Sequence, residues 1–203
     1  MRGGAGSASM ALQRLRTEFT KLSEESLPGI VARPRARDDG GSGDVDLLTW
    51  DFWLAGPPGS AYAGGCFPGT LRFPSDYPLS PPKMVFSPPL THPNVYAGAA
   101  RAGEVCISIL HAGADAFGYE RAEERWTAVQ SVRSVLLSVQ SMLHLADANV
   151  ESPADVDAAK LLAADPARFR AVVRAEVARS LGLPPPPPPP AAAAAAAAEA
   201  APR

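Results

Sequence analysis

Apolar residues recur along this chain with two periods, and the switches between them outline the elements. From Met10 to Glu25, Leu12, Leu15, Phe19 and Leu22 recur at three- and four-residue steps, which predicts an amphipathic helix. Arg14, Arg16 and Lys21 fall off that face, where charge is ordinarily solvated. Residues 1–9 are mostly Gly, Ala and Ser and read as a disordered N-terminus. After Pro28-Gly29 the period shortens. Ile30 to Ala32 is a short apolar segment, and residues 34–44 read as an exposed loop of Pro, Gly, Asp and Arg. Val45 to Leu54 alternates, with Leu48, Trp50, Phe52 and Leu54 on one side and Thr49 and Asp51 on the other. Gly56-Pro57-Pro58-Gly59 is a turn. Phe67, Gly69, Leu71 and Phe73 alternate again, and Met84 to Phe86 is a short further strand. Consecutive strands with short turns predict an antiparallel meander.

Residues 74–128 are punctuated by proline and largely irregular, which in a compact domain usually marks function. Helical periodicity returns at Ala128, where Val129, Val132, Val135, Leu136, Val139, Met142 and Leu143 form a wide apolar stripe. Ser152-Pro153-Ala154-Asp155 reads as a helix start with Ser152 as cap, and Asp165-Pro166 repeats the device. Phe169, Val172, Val173 and Val177 form the core face of a last helix that Gly182 ends. The order is helix, meander, irregular segment, helices: an α+β domain over residues 10–183. Seven prolines, Pro184 to Pro190, and eight alanines follow in a low-complexity tail, 184–203.

Composition narrows the function. A formal charge of −2 over 203 residues gives no global reason to expect nucleic acid as a partner. No apolar run approaches the roughly 20 residues that cross a bilayer, so direct membrane insertion is not expected. Two cysteines, Cys66 and Cys106, make no disulfide framework. A reducing compartment, cytoplasmic or nuclear, is the expectation. Cys66 begins a strand beside Phe67 and reads as structural. Cys106 ends the irregular stretch, where it is either a small buried hydrophobe or a reactive thiol. His92, His111 and His144 invite a Cys-His hydrolase reading, but the spacing supplies no third group to orient a base.

Several motifs together resemble one family, the ubiquitin-conjugating enzymes. These are Pro28-Gly29-Ile30; Tyr62-Ala63-Gly64-Gly65-Cys66-Phe67; Phe73-Pro74-Ser75-Asp76-Tyr77-Pro78-Leu79-Ser80-Pro81-Pro82-Lys83-Met84; His92-Pro93-Asn94; Cys106-Ile107-Ser108-Ile109-Leu110-His111; and Trp126 with the helix after it. Gly118-Tyr119-Glu120, Glu124-Arg125-Trp126 and Ser180-Leu181-Gly182-Leu183 are similar to the G-type enzymes of endoplasmic-reticulum-associated degradation. The resemblance implies the UBC fold: an N-terminal helix, a four-stranded meander and C-terminal helices. It implies that Cys106 accepts ubiquitin as a thioester from the activating enzyme and passes it to lysine. Asn94 would then stabilise the oxyanion or organise the active loop, and His92 would shape that loop. It also implies degradative chains, a RING-type ligase, recruitment to the endoplasmic reticulum by partners, and no bound cofactor or metal, ATP being consumed by the activating enzyme. Arg14, Arg16 and Lys21 would meet the activating enzyme. Pro78, Leu79, Ala128 and Val129 would face ligases.

Four departures from the family accompany this match. Eleven residues separate Asn94 from Cys106, more than the family has, and Ala97 to Ala102 is expected to bulge at the surface. Asp115 is the lone acid between His111 and Phe117. Ala128 stands where a proline is usual, which would loosen the ligase-facing loop. Leu145 to Val150 replaces a Pro-Asn turn, while Ser152 falls near a slot that is acidic in some relatives and Asp147 could substitute. These departures motivate a second reading, a UBC-fold scaffold that binds ubiquitin or ligases with little turnover.

Overall fold

A computed structural model describes residues 4–37, 44–115, 118, 120–145 and 152–184, with side chains from Ala8 onward. The elements are α1 (Gly4–Glu24), β1 (Ile30–Ala36), β2 (Val45–Ala55), β3 (Cys66–Arg72), β4 (Lys83–Phe86), α2 (Val132–Met142), α3 (Val156–Ala164) and α4 (Pro166–Ser180). The strands form one antiparallel sheet in chain order, the expected meander. Single 3₁₀ turns lie at Ser108–Leu110 and Ala122–Glu124. Among the described residues no helix is long and apolar enough to cross a membrane.

The sheet buries Ile30, Trp50, Phe52, Leu54, Phe67, Leu71, Met84 and Phe86, the alternate positions of its strands. α1 packs on β2, α4 touches β3, and α2 meets both α1 and the turn after Cys106. Edge-to-face contacts bind this layer, among them Trp50 with Phe19 and Phe73, and Phe52 with Phe86.

Local departures from the periodic pattern have physical causes. β1 continues through Pro34 to Ala36, where a loop was expected, because an edge strand tolerates proline. There the register jumps from Pro34 opposite Trp50 to Arg35 opposite Asp46. The jump slips the phase of β2, so Leu47 is buried and Leu48 is partly buried against the edge of the core. Trp50 Nε1–H donates to the Leu47 carbonyl at 2.8 Å, closing the slip.

α1 begins at Gly4, within the stretch that composition marks as disordered. Adding turns to a helix already nucleated needs little from the added residues, and Ala and Ser suffice. Its buried face is Ala11, Leu15 and Glu18, and Leu12 is exposed. Three donors draw Glu18 inward: Tyr77 Oη–H at 2.8 Å, the Val132 amide at 2.6 Å, and Arg14 Nε–H.

α2 starts at Val132, not Ala128, because Ser131 and Ser134 form a reciprocal capping box there. α3 is capped by Asp155, not Ser152. Asp155 Oδ1 accepts from the Asp157 and Ala158 amides, both at 3.0 Å. Its own amide donates to Pro93 O at 3.0 Å, which ties the cap to the His92-Pro93-Asn94 segment. Asp165 caps α4 with Pro166 in its first turn, as the sequence predicts. The expected disorder of residues 1–3, the Pro/Ala tail beyond Pro184, Phe117, Tyr119, Asp147 and the stretch 146–151 lie outside the described residues.

Candidate active site

Backbone pairing beyond β4 places Cys106. Val105 N–H donates to Met84 O at 2.9 Å, and bridges join Val85 to Glu104 and Val95 to Val105. Cys106 N–H then donates to Asn94 O at 2.8 Å, which sets the two residues side by side on neighbouring segments. Cys106 is half-buried, and both residues line a cavity of about 660 Å³ that continues past His111, Glu120 and Ser134 to Ser152.

His92 fixes the Asn94 segment from inside. It is fully buried; its Nδ1 accepts from the Asn94 amide at 2.9 Å, and its Nε2 lies 3.0 Å from Met142 O. A backbone carbonyl only accepts, so Nε2 carries the proton. Burial pushes the ring's pKa down to about 4.

The thiol has a histidine neighbour. His111 Nε2 lies 3.5 Å from Cys106 Sγ, and His111 Nδ1 lies 2.7 Å from Glu120 Oε1. The carboxylate requires Nδ1–H, which leaves Nε2 to receive the thiol proton. The hydrogen bond to His111 holds the Cys106 thiol below its ordinary range against the opposing effect of burial. The same bond, with Glu120 behind it, raises His111. Arg125 clamps this loop: it pairs with Glu120 and donates to Gly113 O at 2.6 Å and Ala112 O at 2.9 Å. The Glu120 amide donates to Asp115 Oδ2 at 2.9 Å, so Asp115 is engaged in shaping the loop.

The histidine-cysteine spacing is thus completed by Glu120, the orienting group that spacing alone did not supply. A Cys followed five residues later by His, with Glu in the loop beyond, was the available signal. The closure that joins them needs Arg125 and cannot be read from periodicity. His144 is exposed on the surface. Cys66 opens β3, its amide N–H donating to Ser180 Oγ at 3.1 Å, in keeping with a structural role.

The surface residues divide. Arg16 and Lys21 are exposed on α1. Arg14 is not free: besides Glu18 it donates to Ala128 O at 3.2 Å and Gln130 O at 2.8 Å. Arg14 therefore acts as an internal clamp while its side chain stays partly exposed. That clamp also ties down the loop that Ala128 was expected to loosen. Leu79 is 65 % exposed and Val129 87 %, whereas Pro78 is buried. Trp126 Nε1–H donates to Pro78 O at 2.8 Å, binding the two loops together.

A helix, a four-stranded meander and C-terminal helices around a half-buried cysteine beside His92-Pro93-Asn94 define a class of protein, the ubiquitin-conjugating (UBC) fold. The family described as "Ubiquitin-conjugating enzyme" matches residues 14–177. The chain is 47 % identical over 178 residues to "Ubiquitin-conjugating enzyme E2-18 kDa" of Schizosaccharomyces pombe, covering 87 % of this chain and 99 % of that protein. It is 45 % identical over 177 residues to "Ubiquitin-conjugating enzyme E2 G2" of Homo sapiens, again covering 87 % and 99 %. "Probable ubiquitin-conjugating enzyme E2 7" of Caenorhabditis elegans matches at 49 % over 138 residues, 68 % of this chain and 80 % of that protein. The chain belongs to the ubiquitin-conjugating enzyme family, within its G-type subfamily, and is an E2 enzyme. The family works with ubiquitin, an activating enzyme and ligases.

Proposed function

We propose that Cys106 is the residue that accepts ubiquitin, from the activating enzyme by thioester exchange, and that an incoming lysine then discharges it. The observation that carries this is a reachable, half-buried Cys106 sharing one cleft with Asn94. When the lysine amine attacks the thioester carbonyl, negative charge gathers on its oxygen. The Asn94 carboxamide serves as donor to that oxyanion or holds the loop that does. Losing one such donor costs about 3 to 4 kcal/mol of barrier. His92 positions Asn94 through its main-chain amide. His111 prepares the thiolate, with Glu120 orienting its ring.

The finer reading extends to partners and place. Leu79 and Val129, with Ala128, form the exposed patch that meets a RING-type ligase, and Pro78 supports it from beneath. Arg14, Arg16 and Lys21 meet the activating enzyme. The product is a degradative ubiquitin chain made for endoplasmic-reticulum-associated degradation, with partners bringing the enzyme to that membrane. No bound cofactor or metal is required, since the activating enzyme consumes the ATP.

The test is incubation with activating enzyme, ubiquitin and ATP, followed by a non-reducing gel. A thiol-sensitive adduct that Cys106→Ser abolishes or converts to a thiol-resistant ester is expected. Absence of the thiol-sensitive adduct sinks the assignment. Discharge from the preformed thioester to free lysine separates an active enzyme from a binding scaffold.

A further inference from the structure

The segment inserted between Asn94 and Cys106 is a closed hairpin and not a slack bulge. Tyr96 N–H donates to Glu104 O at 2.9 Å and Gly103 N–H returns to Tyr96 O at 2.8 Å. Within it, Arg101 N–H reaches Gly98 O at 3.0 Å and Glu104 N–H reaches Arg101 O at 2.9 Å. Gly103 has φ +81°, and a Cβ there would fall 2.1 Å from Phe86 O, so only glycine lets the hairpin return against β4.

This closure folds Arg101 back over Tyr96. The guanidinium carbon lies 3.7 Å from the Tyr96 ring centroid, and Nη2 lies 2.6 Å from Glu104 Oε1. Ring and cation hold each other, and Glu104 holds the cation. So fixed, the Tyr96 hydroxyl lies 3.6 Å from Cys106 Sγ and donates to it. The sulfur therefore faces two groups able to give it a hydrogen bond, Tyr96 and, once protonated, His111.

We propose that Tyr96, held in place by Arg101 of the inserted hairpin as its positioning residue, is a catalytic residue for acyl transfer that stabilises Cys106 sulfur whenever it carries negative charge. The proposal rests on the assignment of Cys106 as the ubiquitin acceptor. Sulfur is anionic twice in the cycle. In loading, the thiolate attacks the activating enzyme's thioester; a new C–S bond forms, the old one breaks, and its electron pair leaves on the other sulfur. In discharge, the amine nitrogen bonds to the carbonyl carbon and the C–S bond breaks. The pair returns to Cys106 Sγ, and the ammonium proton passes to solvent or His111. A hydroxyl aimed at Sγ helps in both steps. Tyr96 itself is pushed above the usual tyrosine range by burial and by its bond to Cys106, so it remains a donor. Arg101 acts in the same direction on the thiol, by its charge. The other charged groups facing the cleft are Glu120 with Arg125, Asp115, Glu123 and Glu124. They are common to every variant compared below.

The experiment uses the full chain with Cys66→Ser, so that iodoacetamide reads Cys106 alone. Alkylation rate is followed against pH for this parent, for Tyr96→Phe, for Arg101→Ala and for His111→Gln. Tyr96→Phe should raise the midpoint by about 0.5 to 1 pH unit and slow single-turnover lysine discharge about fivefold, the worth of one hydrogen bond. The lysine KM should stay put, because the proposal puts the hydroxyl on the sulfur and gives it no part in binding the amine. Arg101→Ala should move the midpoint the same way but less, and His111→Gln more. A midpoint unmoved by Tyr96→Phe, or moved with discharge unchanged, overturns the proposal, and Arg101→Ala matching the parent overturns the tether. Alkylation needs no ubiquitin, so failure of the parent to form a thioester counts against the acceptor assignment and leaves this readout decisive.

Discussion

His92 sits in the interior with its two ring nitrogens in opposite roles, Nδ1 accepting from the Asn94 amide and Nε2–H donating to Met142 O. Protonation at Nδ1 would set two N–H groups against each other in a site without water's dielectric. The folded pKa of about 4 therefore lies below the ordinary 6.5. Between those values the unfolded chain binds the extra proton and the folded chain does not, so stability rises with pH. The contribution is complete above about pH 6.5 and is lost as pH falls through 4. It amounts to about 3 kcal/mol, at 1.36 kcal/mol per unit. Urea denaturation of His92→Gln at a series of pH values should lose that part of the slope. An unchanged slope would show His92 titrating normally. His111 illustrates the opposite case: half-exposed, bonded to sulfur and carboxylate, its pKa is raised. Two histidines of one chain are driven apart by burial in one and by charged partners in the other.

The joints between elements rest on a few polar side chains. Ser131, Asp155 and Asp165 cap α2, α3 and α4. Glu18 joins α1 to the Tyr77 loop and to the first amide of α2 through one buried carboxylate. Glu18→Ala strips the partner from a buried hydroxyl and a buried amide. It should cost about 3 to 5 kcal/mol of stability in chemical denaturation. The exposed pair of Arg133 and Glu25 joins α2 to the end of α1. Glu25→Ala should barely move the denaturation midpoint, because solvent already screens that pair. Equal losses from the two substitutions would refute the role given to burial. Of these caps only Asp165 is placed by reading the chain, which starts α2 at Ala128 and α3 at Ser152. Glu18, by contrast, reads as one more charge on a helix until Tyr77 and Val132 are brought to it.

At the scale of the molecule, two distant loops make one surface. Trp126 donates to Pro78 O, and Arg14 holds Ala128 O and Gln130 O, which leaves Leu79 and Val129 exposed on a tied framework. If a ligase docks there, Val129→Asp places a charge in the contact. Ligase-stimulated discharge should fall about tenfold relative to ligase-free discharge, as for a residue near the centre of an interface. An unaltered ratio would move the docking surface elsewhere. The same framework explains how much was legible beforehand. Leu79 and Val129, which the motifs pick out, are both exposed. Pro78 lies buried beneath them, and Arg14, which the resemblance groups with Arg16 and Lys21, also holds the loop at Gln130 O.

The sequence by itself determined the element order, the meander, the family and the position of the cysteine. Each of these depends on local periodicity or on motifs contiguous in the chain. The tertiary structure decided which residues surround the sulfur. Asn94, Tyr96, His111 and Glu120 reach Cys106 through a hairpin, a bridge to β4 and an arginine clamp. It also decided that Leu47 is buried while Leu48 packs at the edge of the core, and that α1 turns Glu18 inward. These outcomes depend on register and on the pairing of distant polar groups, and linear spacing carries no information about either.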